Sequence, residues 1–421
     1  MNKNPVAVVL GGTVPHKFLI QNLKGRGYHT VLVDYYDNPP AAEMADRHIK
    51  ESTLDLQAVL DIANEEKASL VISGCVDQAN VTACYVAEKI GLPAPYSYET
   101  ALRVTDKELM KEGMVRAGVP TAKYRVVDGS EAPEFNNTEF PKVVKPCDCN
   151  GSKGVRKVKN QSELTQALGE ACELSRTSRA IFEDYNAGTE LNGYFFVGNG
   201  NAVELYMKGK ELPGGDGHES LQSYVSIGPA EISDKARSKL AAAAVDISRE
   251  FGVHNTPLLV QANIDGDDVK VIEFAPRVGG GLAFREILMG TGFDVIDAVV
   301  ASYLGEEVGL PNLRKINDSF SIVHLYGESG LLDRVEGNEK LVADRVVEEF
   351  HMHKSKGMRM SSEDLASRNR VAGVIIRFSS IPEYTRKIND IVSEFKIYSD
   401  GGSDVFERSL LSELLESMPC V

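Results

Sequence analysis

The sequence contains no apolar run approaching the ~20 residues that a membrane-spanning helix requires. Its N-terminal MNKNPVAVVLGG passes directly into a strand-like stretch too short for a secretory h-region. A cytoplasmic location without a membrane partner is the expectation. Positive charge is also in deficit: 46 Lys and Arg against 61 Asp and Glu leave a formal charge of −15. Nucleic acids and anionic bilayers are bound through basic footprints, so nucleic acid is excluded as the main partner and any phosphate must be met locally. The six cysteines form no CxxC pairs, which removes a zinc ribbon or disulfide framework; Cys147 and Cys149, a CxC, read as loop thiols. Two phosphate signatures are missing as well. The glycines after the first strand are the adjacent Gly11 and Gly12, not three spaced ones, which disfavours a dinucleotide oxidoreductase. No GK[ST] opens a helix, so there is no Walker loop.

What is present is ordinary for a globular protein: 421 residues, 43% hydrophobic and 25% charged, enough for two or three domains. Val6 to Leu10, a helix over Lys17 to Lys24 and a strand over Thr30 to Val33 make a βαβ opening. A helix Leu54 to Glu65 and a strand Leu70 to Ser73 follow. Asp77 comes at that strand's carboxyl end, where open α/β sheets take ligands, although the same residue suits a helix N-cap. After the loop Gly91 to Pro95, a helical run Tyr98 to Ala117 carries Lys107 and stops at Gly118-Val119-Pro120. An amphipathic helix is expected over Ser233 to Phe251 and another over Phe284 to Tyr303. Beyond about Leu310, strand-like pieces such as Phe320 to Leu325 and Val371 to Phe378, with a helix Ile381 to Phe395, describe an α+β region.

Two stretches carry most of the chemistry. Phe140 to Pro146 reads as a short strand feeding the small-residue loop Cys147 to Val155, where Gly151, Ser152, Lys153 and Gly154 let backbone N–H groups close over an anion. Lys145, at the strand's end, reaches inward as a point charge for a phosphate. A strand Ala180 to Tyr185 then runs into Glu183-Asp184-Tyr185-Asn186-Ala187-Gly188-Thr189-Glu190. The second stretch, Leu258 to Gly281, is LLVQANIDGDDVKVIEFAPRVGGG. Leu258 to Ile264 and Val269 to Phe274 flank the turn chemistry of Asp265 to Asp268 and predict a hairpin. By the period of two, Glu273 shares a face with Val269 and Val271, and a carboxylate there wants a partner. A strict four-residue turn sets Val260 opposite it, whereas one bulged residue sets Gln261 there. Arg277 and the glycines 279–281 then bring a fixed cation and exposed N–H groups close to this oxygen ligand.

In this order, Lys107 in a helix, VVKP with its small-residue loop, FEDYNAGTE and IEF-PR-GGG resemble the ATP-grasp superfamily. The closest similarity is to its biotin carboxylase-like and L-amino-acid ligase branch of carboxylate–amine ligases, from the βαβ region to about Val300. The resemblance implies an α/β architecture with a Rossmann-like N-terminal domain (1–95), a central ATP-grasp region (96–309) and a C-terminal α+β domain (310–421). Lys107 and Lys145 match the lysines that hold the ATP phosphates, and residues 151–154 match the loop over the β and γ groups, with Lys153 a further cation. Glu183 matches the acid near the adenine amino group. Asp184 and Asn186, with Tyr185 between them, fall along the base edge, and Glu190 matches the ribose acceptor. Glu273 matches the central magnesium ligand, and Arg277 the arginine that stabilises the acyl phosphate, with Lys145 beside it as the other catalytic cation. Gly279 and Gly280 would receive a carboxylate or phosphate on backbone N–H.

Two positions depart from the family pattern. Gln261 stands where an acid is usual, and Ala275 where an asparagine is usual. Glu273 with the amide oxygen of Gln261 would then serve one Mg²⁺ (or Mn²⁺), with Asn263 as a substitute ligand. The implied activity is amide or dipeptide-like bond formation from a small carboxylate, an amino acid by preference, and an amine, with ATP consumed. Asp77, His218 and Arg285 would join Arg277 and the glycines in choosing substrates, and dimers are common among similar enzymes. The alternatives are a carboxylase or purine-precursor enzyme activating bicarbonate or formate, and a nucleotide binder without turnover. His351 and His353, at strand spacing, read as a strand face and not as a metal site.

Overall fold

The computed structural model describes residues 4–128, 133–136, 139–149, 151–211, 224–314, 318–361 and 369–417. The first sheet is parallel, in the order β3-β2-β1-β4, with β1 Val6–Leu10, β2 His29–Asp34, β3 Arg47–Lys50 and β4 Leu70–Ile72. β1 and β4 are almost wholly apolar and buried, as expected of parallel strands covered on both faces. Helices α1 (Val14–Gly25), α2 (Leu56–Glu65) and α3 (Asp77–Ile90) belong to this unit. Its first turn is filled by its own side chains. Gly12 N–H donates to Asp34 Oδ2 at 2.7 Å, and His16, fully buried, meets Thr13 Oγ1 at 2.8 Å. A Cβ on Gly11 (φ +111°) would lie 2.7 Å from the His16 ring, so glycine is required there.

Burial drives the His16 imidazole down from its ordinary 6.5 to about 4. Because the unfolded chain binds the proton more readily, this residue's contribution is fully present above pH 6.5 and is lost as pH falls toward about 4; the gap corresponds to roughly 3 kcal/mol. Thermal unfolding of wild type and His16→Gln should show the wild type losing more Tm over that window than the variant. Parallel losses would remove His16 as the cause.

A second sheet, antiparallel in the order β5-β8-β6-β7, is built from β5 Tyr124–Val127, β6 Lys142–Pro146, β7 Arg156–Val158 and β8 Ala180–Asp184. It has its own small core. The largest sheet runs β13-β12-β9-β10-β11-β14-β18-β16, with β9 Thr189–Gly198, β10 Asn201–Glu211, β11 Val225–Gly228, β12 Thr256–Asp265, β13 Asp268–Ala275, β14 Ser319–Tyr326, β16 Glu349–Met352 and β18 Arg370–Phe378. This sheet crosses residue 310, because β14 pairs with β11. β15 Gly330–Glu336, β17 Arg359–Met360 and β19 Lys396–Ser399 form a small C-terminal sheet.

Two predicted helices are each broken in two. Tyr98 to Ala117 divides into α4 (Tyr98–Arg103) and α5 (Lys107–Arg116), because the Asp106 side chain accepts the N–H groups of Glu108 and Leu109 and caps a new start. Phe284 to Tyr303 becomes, after α6 (Gln161–Leu174) and α7 (Asp234–Phe251), the pair α8 (Ala283–Thr291) and α9 (Val295–Tyr303). Gly292 at φ +78° ends α8 and Asp294 caps α9.

Candidate functional site

The β5-β8-β6-β7 sheet faces the β12–β13 hairpin across a cleft of about 330 Å³. In a chain of net charge −15, five lysines line this one cleft, Lys107, Lys145, Lys157, Lys210 and Lys270, together with Glu183, Asp184, Glu190 and Glu273. The five lysines outnumber the four carboxylates by one, so the lining is slightly positive in an acidic chain.

Lys145, from the end of β6, bonds Glu183 of β8 at 3.1 Å, and Lys111 of α5 bonds the other Glu183 oxygen at 3.2 Å. Burial alone would push the Glu183 carboxyl up, but Lys145 and Lys111 outweigh it and hold the group below its ordinary value. Burial likewise disfavours the Lys145 ammonium, yet Glu183 and Glu273 raise it above the ordinary lysine range. Each Glu183 oxygen thus accepts from one lysine. Lys111 was not anticipated from sequence. The available signal was its position four residues after Lys107, on the same helical face.

Lys107, the first residue of α5, donates its backbone N–H to Cys147 O at 2.9 Å and its Nζ to Cys149 O, which fastens it to the segment that enters the loop. In that loop Gly151, Ser152 and Gly154 have φ of 65°, 59° and 72°. A non-glycine residue held in the left-handed region is a strained conformation of the sort found at ligand clamps. Gly151 and Ser152 line the cleft, whereas Lys153 and Gly154 are not among its lining residues. At the end of β8, Asp184 N–H donates to Lys123 O at 3.0 Å and Tyr185 N–H to Pro141 O at 3.2 Å. These two N–H groups are spent within the protein. Lys157 sits 3.7 Å from the Tyr185 ring centre, and Lys210 bonds Glu190 at 2.9 Å.

The hairpin register is the bulged one. Gln261 lies opposite Glu273 and Ala262 opposite Val271, so Ile272 is the extra residue. The bulge corrects the expected face: Val269, Val271 and Phe274 enter the core, while Glu273 turns to the cleft beside Lys270 and Ile272. Gln261 donates its amide N–H to Asn192 Oδ1 at 2.9 Å, which leaves its carbonyl oxygen as the atom available to a ligand. Asn263 donates to Asn186 O at 3.4 Å. Among the described residues no group of three or more His, Cys, Asp or Glu could hold a metal by itself. One carboxylate with one amide oxygen suits a hard cation that arrives already coordinated by phosphate and water.

A second, smaller chamber of about 30 Å³ shares Lys107, Gln261 and Glu273 with the cleft and adds Asp77, Thr105 and Arg277. Arg277 grips both oxygens of Asp77 and donates to Val278 O at 2.8 Å. Burial works against its charge, but Asp77 more than restores it and raises the guanidinium further. Asp77 is the first residue of α3, after the cap Val76, so it is not the N-cap that the sequence offered as one option. The segment is also tied to the first sheet, since Val278 N–H donates to Gly74 O at 3.1 Å.

Other predicted substrate residues are placed elsewhere. Arg285 chelates Glu349 of β16 at 2.5–3.1 Å and lies over Phe18, so it joins α8 to the C-terminal strands and lines neither chamber. Gly279 and Gly280 are outside both linings, Gly279 facing Tyr194 and Gly280 facing Cys75 O. His218 lies outside the described residues. His351 bonds Glu349 at 2.8 Å, whereas the His353 ring is 5.8 Å from that of His324.

With this geometry in hand, the comparisons with known proteins can be placed. Residues 138–286 match the family model of the ATP-grasp domain. The formate-dependent phosphoribosylglycinamide formyltransferase of Ignicoccus hospitalis is 26% identical over 256 residues, covering 58% of this chain and 62% of that protein. The match therefore spans less than two thirds of the relative. The L-amino acid ligase of Bacillus licheniformis superposes with a TM-score of 0.75 over 95% of this chain and 100% of that one, at 16% identity. The biotin carboxylase domain of Hydrogenobacter thermophilus 2-oxoglutarate carboxylase, solved with MgADP and bicarbonate, does so with a TM-score of 0.76 over 99% and 95%, at 17% identity. At these identities the likeness of the structures carries the fold, and that fold is the one the motifs imply.

Proposed function

With residues 138–286 an ATP-grasp domain, we propose that this protein is an ATP-dependent carboxylate–amine ligase that activates a small acid as an acyl phosphate and releases ADP and phosphate. The observation that carries the reading is that the two chambers share Glu273: the same carboxylate lines the lysine-lined cleft and, with Arg277, the smaller chamber. Lys145, Lys107 and the N–H groups of the 151–154 loop would hold the phosphates. A substrate carboxylate oxygen attacks the γ-phosphorus, ADP leaves, and the amine nitrogen then attacks the acyl carbon, expels phosphate and loses a proton. No protein nucleophile is required. The task for the chain is to position two anions that repel each other, and a fixed cation between them lowers that barrier. Glu273 and the Gln261 carbonyl would hold Mg²⁺, which neutralises phosphate charge when bound.

The acid is read as an amino acid and the product as a dipeptide-like amide. A second reading, a one-carbon acid such as formate or bicarbonate, is favoured by the roughly 30 Å³ beside Arg277, room for a guest of one or two water volumes. The formate-dependent relative points the same way. The test is ADP and phosphate release from ATP and Mg²⁺ over amino acids singly and in pairs, with formate and bicarbonate plus amines as separate arms and product masses from the same wells. Release that needs an amino-acid pair and yields their condensed mass supports the first reading. Release with a one-carbon acid supports the second, and nucleotide binding without release in any arm points to a non-catalytic binder.

A further inference from the structure

Behind the cleft lining lies a buried lysine, Lys111, that the phosphate-binding assignment does not use. Glu183, 5% exposed, holds Lys145 on one oxygen and Lys111 on the other. The two lysines are not equivalent. Lys145 faces the open cleft, whereas Lys111 is not among its lining residues and is 2% exposed. Lys111 also donates to Thr121 Oγ1 at 2.6 Å, and Thr121 donates in turn to Val271 O at 2.7 Å. Lys111 is therefore pinned between α5, β8 and the hairpin. Lys145 has a flexible four-carbon stem and lines the cleft.

We propose that Lys111 is a positioning residue, the standing counter-ion of Glu183: it stays on the carboxylate when Lys145 turns away to the phosphates of a bound nucleotide. The inference rests on the nucleotide reading of the cleft. A buried carboxylate stripped of its only cation is an uncompensated charge, and that is strongly unfavourable. With Lys111 in place, the departure of Lys145 leaves Glu183 paired, and Lys145 exchanges one anionic partner for another. Without Lys111, each binding event has to break the one ion pair left to Glu183 among the described residues. Burial, stronger here than the pull of Glu183, leaves the Lys111 ammonium below the ordinary lysine range, as expected for a cation kept inside for one partner.

The test is isothermal titration of the full chain with MgADP, with Tm recorded for every variant. Binding by wild type and its loss in Lys145→Met examine the nucleotide reading itself. Lys111→Met, which keeps length and removes charge, should raise Kd by about tenfold or more, and Lys111→Arg should restore most of the affinity. In a Glu183→Gln background Lys111 has no charge to balance, so Lys111→Met/Glu183→Gln should bind within about twofold of Glu183→Gln. A double variant much weaker than Glu183→Gln overturns the proposal, and this comparison stands even if Lys111→Met alone does not fold. Unchanged affinity in a folded Lys111→Met overturns it as well while leaving the nucleotide reading intact. Failure of wild type to bind MgADP overturns both.

Discussion

Glu273→Gln is expected to lower turnover by about 10²- to 10³-fold, and Gln261→Glu to reduce the magnesium needed for half-maximal activity by about tenfold. Among the described residues Glu273 is the carboxylate that both chambers share. The two neighbouring positions that the family resemblance would fill with a second acid and an asparagine hold Gln261 and Ala275. One carboxylate then supplies all the formal charge that the protein offers a metal between the phosphates and Arg277. The substitution leaves only neutral amide oxygens there, its own with those of Gln261 and Asn263, since methyl-bearing Ala275 has no ligand atom. Gln261→Glu runs the other way. Gln261 and Glu273 are register partners, and side chains directly opposed across strands are close enough for like charges to destabilise. Without metal the variant should lose Tm, both by repulsion and by loss of the bond to Asn192. With MgADP it should regain more than wild type does, because two carboxylates now have a cation to share. Thermal shifts with and without MgADP, alongside a magnesium titration of turnover, measure both effects. A Gln261→Glu protein whose magnesium dependence matches wild type would move the metal away from this pair of strands.

Much of this site was legible because it rests on local composition. The strands around Lys145 and Glu183 announce themselves as apolar runs closed by small or charged residues, and the hairpin by its Asp-Gly turn. The register was legible only down to two options, since a bulge at Ile272 depends on how β12 already pairs with β9 on its other side, and a single strand does not contain that. The helix breaks at Asp106 and Asp294 were overridden by continuous apolar periodicity although both carry caps. Contacts between residues far apart were not legible at all. Arg277 and Asp77 are 200 positions apart, and Arg285 meets Glu349 because β16 and α8 are brought together only by the full sheet. Lys111 was passed over for a different reason: a helix lysine is ordinarily solvated, and nothing local shows that Glu183 arrives beside it.

Arg277→Ala should abolish measurable turnover, a loss of at least about 10²-fold, with MgADP affinity close to wild type, because Arg277 lines the inner chamber and not the nucleotide cleft. The same substitution carries a stability cost that has to be separated from the chemistry. Asp77 would lose its bidentate partner while largely buried, and breaking a buried pair from one side costs about 3–5 kcal/mol. The positive end of α3, of which Asp77 is the first residue, offsets a part of that. Asp77→Asn/Arg277→Ala removes both charges and should recover most of the lost Tm without recovering turnover, which assigns the activity loss to the missing cation. Asp77→Asn alone leaves the guanidinium in place but unneutralised. The chamber then gains one unit of positive charge, so KM for the acid should fall while kcat falls too, because Asp77 no longer fixes the orientation of the guanidinium toward the transferring phosphate. Arg277→Lys keeps the charge and loses the fork, and should lie between wild type and Arg277→Ala. If Arg277→Ala turned over normally once its stability was restored by the Asp77 change, Arg277 would be only a tie between the first sheet and the hairpin, and the cation acting on the acyl phosphate would have to be sought on Lys107, which both chambers also share.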